Sequence, residues 1–301
     1  MRNMEILTVT FNPCLDRTLW VTEHGDIPHK IEVQTGGKGV NVARVLGNLG
    51  ISAVAVCPVG GETGAEFQRR AAAEGVSLCP VPVRAPTRVI GTRVRARDFD
   101  QKVDYARGES LSDAELDALA GAVFSHLPEA RALAICGSAS CEAAARRVPE
   151  LIARAKALGI PVLLDSNGPA LALGAAALPD LIKPNQAELL ALTGIEDVGT
   201  AARELIARGV KAVLASMGAA GCCYVTEDSE HYCPAPRVST VNAVGAGDSF
   251  VAGFLYASVK GYALETALMI ACAAGAANAK VFPAARVTKA DVEEMLGWKL
   301  V

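Results

Sequence analysis

Residues 241–255 read Val-Asn-Ala-Val-Gly-Ala-Gly-Asp-Ser-Phe-Val-Ala-Gly-Phe-Leu, and they hold the side chain best placed to do chemistry. Gly245 and Gly247 flank Ala246 and lead into Asp248, after which Phe250, Phe254, Leu255 and Val259 follow at helical spacing. A glycine-rich bend that opens a helix points bare main-chain N–H groups forward, and the helix dipole adds positive potential there. Such a bend suits phosphate or another developing anion. A carboxylate at the same place would repel a phosphate that was merely held. Asp248 makes sense if it accepts a proton from a hydroxyl that then attacks phosphorus. The plainer alternative, an acidic residue in an ordinary first helical turn, stays open on these residues alone.

Other phosphate motifs do not fit. A Walker A loop needs G-x-x-x-x-G-K followed by Ser or Thr. Here Gly37-Lys38 is followed by Gly39, with Glu32 where the first glycine should be. No G-x-G-x-x-G follows an expected strand. A nucleotide site, if the chain has one, is of another design.

The elements that must position such a site are legible in outline. At 301 residues the chain can bury a large core, as one large α/β domain or two smaller ones. Apolar runs at Glu5–Phe11, Ala53–Val59, Ala132–Cys136, Pro161–Asp165, Asp180–Lys183 and Ala212–Ser216 read as strands. Val42-x-x-Val45-Leu46-x-x-Leu49 and Leu116-x-x-Leu119-x-x-x-Val123 have helix spacing, and Ser112-Asp113-Ala114-Glu115 forms a capping box before the second. This alternation implies right-handed βαβ units and a mostly parallel sheet covered on both faces. Ligands of such sheets bind beyond the carboxyl ends of the strands, where Asn12, Asp16, Asn185 and Ser216 fall. Residues 15–35 and 86–107 break the pattern. Arg88–Arg95, a turn at Asp98-Phe99-Asp100-Gln101 and Lys102–Tyr105 read as a hairpin, so the two stretches are expected to form a small sheet over a cleft. Plain surface insertions are the alternative.

Composition narrows the classes. The formal charge is −3 and no long basic tract occurs, so nucleic acid is not an expected partner. Nine cysteines lack the spacing of a disulfide framework, and Cys57, Cys136, Cys222 and Cys272 sit in apolar segments as reduced core residues would. No C-x-x-C occurs and the four histidines are scattered, which argues against structural zinc. No signal-peptide pattern and no apolar run of membrane-spanning length appears, so no membrane partner is expected and the cytoplasm is the expected address.

Three more motifs join the Gly-Ala-Gly-Asp bend: Asn12-Pro13-Cys14-Leu15-Asp16, Gly36-Gly37-Lys38-Gly39-Val40-Asn41-Val42-Ala43, and Lys183-Pro184-Asn185-Gln186-Ala187-Glu188. In this order the sequence resembles the ribokinase-like phosphofructokinase-B family of carbohydrate kinases, from about residue 5 to residue 280. The branch it looks most like holds 1-phosphofructokinases, tagatose-6-phosphate kinases and minor 6-phosphofructokinases. The resemblance implies a Rossmann-like three-layer α/β/α core across residues 1–301 as one unit, with the lid inserted in it. It further implies ATP, Mg²⁺ and a sugar phosphate as ligands, and a homodimer formed through the lid.

By the same resemblance Asp248 matches the catalytic base, and Gly245, Ala246 and Gly247 the anion hole. Asp16, Gly37 and Asn41 match sugar-binding positions; a carboxylate and an amide also suit vicinal hydroxyls. A turn residue and a helix-start residue are the bland readings of Asp16 and Asn41. Lys38 and Arg88 are the expected contacts for a phosphate already on the substrate. Asn185 and Glu188 match the Asn-x-x-Glu that holds Mg²⁺ through water, although that spacing is also a capping box. Lys183, Ser216 and Gly218 are expected at the nucleotide. The sequence departs from the branch at Lys102–Gly108, with Tyr105 about where an asparagine is usual, at Gly137-Ser138-Ala139-Ser140, and at Asn242-Ala243. Fructose 1-phosphate is the first expected acceptor, then fructose 6-phosphate and tagatose 6-phosphate, then an unphosphorylated sugar or nucleoside. A silent sugar-phosphate sensor is the alternative from outside the enzymes.

Overall fold

A computed structural model describes residues 4–22, 28–95, 97 and 101–301. Its strands are β1 (Ile6–Val9), β2 (Cys14–Val21), β3 (Pro28–Gly36), β4 (Ala53–Val59), β5 (Ser77–Pro82), β6 (Arg88–Arg95), β7 (Gln101–Asp104), β8 (Ala132–Gly137), β9 (Val162–Ser166), β10 (Leu181–Ile182), β11 (Val213–Ser216), β12 (Cys222–Val225) and β13 (Glu230–Cys233). The helices are α1 (Lys38–Asn48), α2 (Gly61–Ala73), α3 (Asp113–His126), α4 (Glu142–Ala157), α5 (Gly168–Ala176), α6 (Gln186–Thr193), α7 (Val198–Ala207), α8 (Ala246–Lys260), α9 (Leu264–Ala279) and α10 (Lys289–Leu296).

Nine strands form one sheet in the order β13-β12-β11-β10-β9-β8-β1-β4-β5. From β5 to β11 every pairing is parallel, and the hairpin β12–β13 closes the other edge antiparallel. Alternate residues of each strand feed opposite faces, as the pleat requires. Ile6, Ala55, Cys57, Ala134 and Cys136 meet α1, α2, α8, α9 and α10. Leu7, Val9, Val56, Leu133 and Ile135 meet α3, α4, α5 and α7. The architecture is therefore the expected three-layer, ribokinase-like α/β fold. Ser112 and Glu115 make the capping box read from sequence. All nine cysteines are free thiols, and Cys57, Cys136, Cys222 and Cys272 are buried. No helix among the described residues is long and apolar enough to cross a membrane.

One sheet edge is blunted by chemistry. The Val83 N–H donates inward to the Val59 carbonyl at 3.0 Å, so by strand alternation Pro80 and Pro82 of β5 occupy the outward-facing positions. Proline has no N–H to lose there.

The second sheet, in the order β3-β2-β6-β7, is the lid. β2 runs antiparallel to β3 and parallel to β6, and β6 and β7 form the expected hairpin. The turn expected at Asp98-Phe99-Asp100 lies outside the described residues, as do 23–27 of the first lid stretch. Trp20 packs on Phe282 of the core, ring centroids 4.4 Å apart. The lid underside and the 282–286 loop enclose a cleft of about 480 Å³ whose walls include Asp16, Gln34, Tyr105, Asn242, Phe282 and Arg286.

Candidate active site

The site is assembled where α8 begins. Gly245 caps that helix with φ of 81°, a left-handed conformation glycine adopts without strain. A Cβ there would lie 2.9 Å from the Ala285 nitrogen and 3.0 Å from the Ala284 Cβ, so the bend also needs a missing side chain. Asn278, fully buried on α9, pins it: its Nδ2 donates to the Val244 carbonyl at 2.8 Å and its Oδ1 accepts from Ala285 N–H at 2.7 Å. The Ala246 N–H is taken by the Ala243 carbonyl at 3.2 Å. Gly247 is exposed and faces open space. N–H groups of a first helical turn have no acceptor within the helix, so those of Gly247 and Asp248 suit an incoming anion.

Asp248 is 6% exposed, and its Oδ2 accepts a 2.7 Å hydrogen bond from the Asn41 Nδ2. Burial pushes its carboxyl up to about 6, with Lys38, Asn41 and Lys183 pulling down and Asp165 adding to the rise. A carboxyl tuned in this way is ionised at neutral pH yet basic enough to take a proton from a hydroxyl.

Beside it lies a Lys-Asp-Lys cluster. Asp165, fully buried at the end of β9, receives Lys38 Nζ at 3.0 Å and Lys183 Nζ at 3.3 Å on the same oxygen, Oδ1. Burial would raise the Asp165 carboxyl, but Lys183 and Lys38 outweigh it and hold it below the usual carboxylate range. Burial would lower Lys38, but Asp165, Asp248 and Glu188 hold it above its ordinary value. Lys38, expected at the sugar phosphate, thus stands within the field of Asp248. Lys183 is buried next to it, at the end of the strand that leads into Asn185.

The remaining expected residues are placed as follows. Asp16 is the third residue of β2, inside the lid rather than at the end of a core strand, and lines the cleft. Its carboxyl is pushed up by burial, and the Cys14 thiol donates to it at 3.3 Å. Gly37 has φ of 111° and lies against Pro13, 3.1 Å from the site of a would-be Cβ, so its first task is to start α1. Asn41 has both amide ends engaged, by Asp248 and by Arg44 at 2.8 Å. Arg88 donates to the carbonyls of Asn12 at 2.9 Å, Ala106 at 3.1 Å and Pro13 at 3.4 Å, tying the first loop to the lid. Asn185 and Glu188 do form the capping box of α6, each at 2.9 Å. Ser216 bridges to Asn185 at the end of β11, and Gly218 is exposed with φ of 56°.

The Mg²⁺ expectation can be tested against these donors. Among the described residues no three His, Cys, Asp or Glu side chains gather as a protein-only cage. One carboxylate and one amide, each with an oxygen already shared in the capping box, suit an ion that keeps its waters and shares phosphate oxygens. The buried Asp165 Oδ2 has no hydrogen-bond partner, and the lysine that Asp165 binds, Lys183, lies two residues before Asn185. The donor set fits a hydrated Mg²⁺.

The sequence alone suggested no role for Asp165, Gly36, Arg44 or Glu74. Gly36 makes room for Asp16: a Cβ there would collide with Asp16 Oδ2 and sit 2.8 Å from Asp16 Cγ and Cys14 Sγ. A charged residue closing an apolar strand (Asp165) and a lone arginine in the Val40–Leu46 apolar run (Arg44) were the available signals.

Known proteins resemble this chain along most of its length. The chain matches the profile of the pfkB family carbohydrate kinases over residues 9–288. A 1-phosphofructokinase of Rhodobacter capsulatus is 36% identical over 286 residues, which are 90% of this chain and 89% of that protein. The ATP-dependent 6-phosphofructokinase isozyme 2 of Escherichia coli (strain K12) is 32% identical, over 91% of this chain and 92% of that one. The crystal structure of Escherichia coli phosphofructokinase-2 in complex with substrates and products superposes with a TM-score of 0.89 at 30% identity, covering 98% of this chain and 99% of that one. With the profile matched over residues 9–288 and a relative 36% identical across 90% of its length, the chain belongs to the pfkB family of carbohydrate kinases, ATP-dependent enzymes that phosphorylate sugars.

Proposed function

We propose that the chain transfers the γ-phosphoryl group of ATP to fructose 1-phosphate, giving fructose 1,6-bisphosphate and ADP. The observation that carries the chemistry is Asp248, a buried carboxyl raised to about 6 whose one oxygen is tied to Asn41. Its other oxygen is left for the acceptor hydroxyl. The choice of acceptor rests on the 36% identity to a 1-phosphofructokinase. Fructose 6-phosphate is the second reading, favoured by the 32% identity to a 6-phosphofructokinase.

The sugar lies under the lid, with Asp16 on its hydroxyls and Asn41 and Gly37 at its edge. As the hydroxyl oxygen bonds to the γ-phosphorus, its proton passes to Asp248 and the bond to the β,γ-bridging oxygen breaks. Main-chain N–H groups of the Gly245–Asp248 turn meet the charge spreading over the transferred group. Lys38 and Lys183, held by Asp165, supply fixed positive charge on the same side. Arg88 keeps the loop after β1 in place and offers its unused donors to the phosphate already on the sugar. Ser216 and Gly218 border the nucleotide. Asn185 and Glu188 would hold Mg²⁺ through water, and the ion would neutralise charge on the phosphates. Ile31 on the lid edge strand β3 is 58% exposed, which supports pairing of two lids in a homodimer. We place the protein in the cytoplasm, where ATP and sugar phosphates are.

ADP release, followed with MgATP and fructose 1-phosphate, fructose 6-phosphate, tagatose 6-phosphate or fructose, tests the assignment. The highest kcat/KM is expected with fructose 1-phosphate. A clear preference for another acceptor would overturn the substrate. Measurable sugar-phosphate binding with no ADP from any acceptor would overturn the kinase and favour a sensor.

A further inference from the structure

We propose that Arg44 is a positioning residue that fixes the orientation of the Asn41 amide, so that Asn41 presents its NH₂ to Asp248. The inference rests on the reading of Asp248 as the base. Arg44 projects from α1 and is 2% exposed, among the most deeply buried of the large side chains. Its Nε and Nη2 donate to Glu74 Oε2 at 3.2 and 2.9 Å, and Nη2 also reaches the Thr35 carbonyl at 2.6 Å. The remaining arm, Nη1, donates to Asn41 Oδ1 at 2.8 Å, and Asn41 Nδ2 donates to Asp248 Oδ2 at 2.7 Å. Glu74 is shared with Arg286 of the cleft wall at 3.0 Å.

Packing alone does not explain a guanidinium here. Burying an ion pair costs about as much as the pairing returns, and an apolar side chain of similar volume often serves stability as well or better. What an apolar residue cannot do is orient an amide. A guanidinium has donors only and an ionised carboxylate has acceptors only. An amide lying between them satisfies both in one orientation. Turned over, its oxygen would face the Asp248 carboxylate and its NH₂ would face the guanidinium. Arg44 therefore selects the state in which one Asp248 oxygen is occupied and the other is free for the hydroxyl. The other groups that bear on Asp248 are Lys38, Lys183, Asp165 and the Cys14 and Cys136 thiols, and Arg44 contacts none of them in this chain of bonds.

With Arg44 replaced, the amide is free to turn, and Asp248 loses a donor that favours its ionised form. The carboxyl then protonates at higher pH, so the acid limb of the rate profile moves up. Arg44→Lys keeps the charge beside Glu74 but has no planar fork to reach Asn41 as well; Arg44→Gln removes the charge. For variants shown to be folded by circular dichroism, kcat is expected to fall about 10–100-fold, KM to change less, and the acid limb to rise by roughly half a pH unit or more. A folded variant with kcat within twofold of the parent would overturn the inference. So would a lower kcat with the acid limb unmoved, because general loosening gives that result. Should neither variant fold, the unsubstituted protein carries the test: the Arg44 Nη1 signals, bonded to Asn41 Oδ1, should follow the same titration as the Asn41 amide, and Arg44 signals unmoved while the amide titrates would overturn the inference. The Asn41 side-chain ¹⁵N–¹H signals, assigned by their loss in Asn41→Ala, should titrate together with Asp248 between pH 5 and 8, and signals independent of pH would refute the link. Asp248→Asn separates the two levels. If it stays active, the reading of the base fails; if it is inactive while Arg44 variants behave normally, only the role of Arg44 fails.

Discussion

Replacing Asp248, the proposed base, should make the fold more stable as it removes the activity. Asp248 is ionised at neutral pH in a place that raises its carboxyl from 3.8 to about 6, so the folded protein holds the charged form at a disadvantage. The gap of about 2.2 pH units corresponds to about 3 kcal/mol at 1.36 kcal/mol per unit. The sign follows from proton linkage. A carboxyl raised on folding disfavours the native state once pH exceeds the folded value, and the penalty fades as pH falls towards the unfolded value near 3.8. Asp248→Asn keeps the shape, can still accept from Asn41, and carries no charge. At pH 8 it is expected to unfold later in urea, by up to about 3 kcal/mol. The advantage should shrink through pH 6 and nearly vanish at pH 4. The same variant should lose about 10²–10⁴ in kcat. Urea titrations of both proteins at pH 8, 6 and 4 measure the effect. Equal stability at pH 8, or an advantage that does not depend on pH, would refute the account of why this carboxyl is basic.

Other outcomes follow from the same geometry. The rate should have an acid limb near pH 6, below which kcat/KM drops about tenfold per pH unit as Asp248 takes up its proton; a flat profile from pH 7 to 5 would count against the base. Asp165→Asn leaves Lys38 and Lys183 without their carboxylate, and a loss of about 3–5 kcal/mol in urea unfolding is expected together with a fall in kcat. Gly36→Ala forces Asp16 out of its place, so KM for the sugar should rise several-fold with a smaller change in kcat; unchanged KM would separate Asp16 from the substrate.

Much of the fold was visible in the sequence because strand and helix periods repeat locally. The six apolar runs correspond to β1, β4, β8, β9, β10 and β11, and the hairpin expected after Arg88 is β6–β7. The strands not anticipated are short or broken by proline. Cys222–Val225 and Glu230–Cys233 are four residues each, and two prolines interrupt β5. In the site, the turn at Gly245 was legible because a left-handed helix cap demands a residue type that spacing reveals. Asp165 was not, since its meaning comes from Lys38, 127 positions away, and Lys183. Arg44 likewise reads as an oddity on an apolar helix until Glu74 and Thr35 are brought to it. The Asn185–Glu188 pair is the instructive middle case: the capping box is realised in the structure with Asn185 Oδ1 and Glu188 Oε2, so the proposed role in holding the ion would share the amide oxygen and use the carboxylate oxygen left out of the box.

The paired prolines on β5 have a bearing beyond the site. Sheets of this breadth invite stacking of one molecule's border on another's, because an open margin offers alternate donors and acceptors to any extended segment. Along this margin the donors at Pro80 and Pro82 do not exist, so a docking segment would leave its own carbonyls stranded. The β5 margin is thus closed to fibre-like growth, even where crowding brings molecules together.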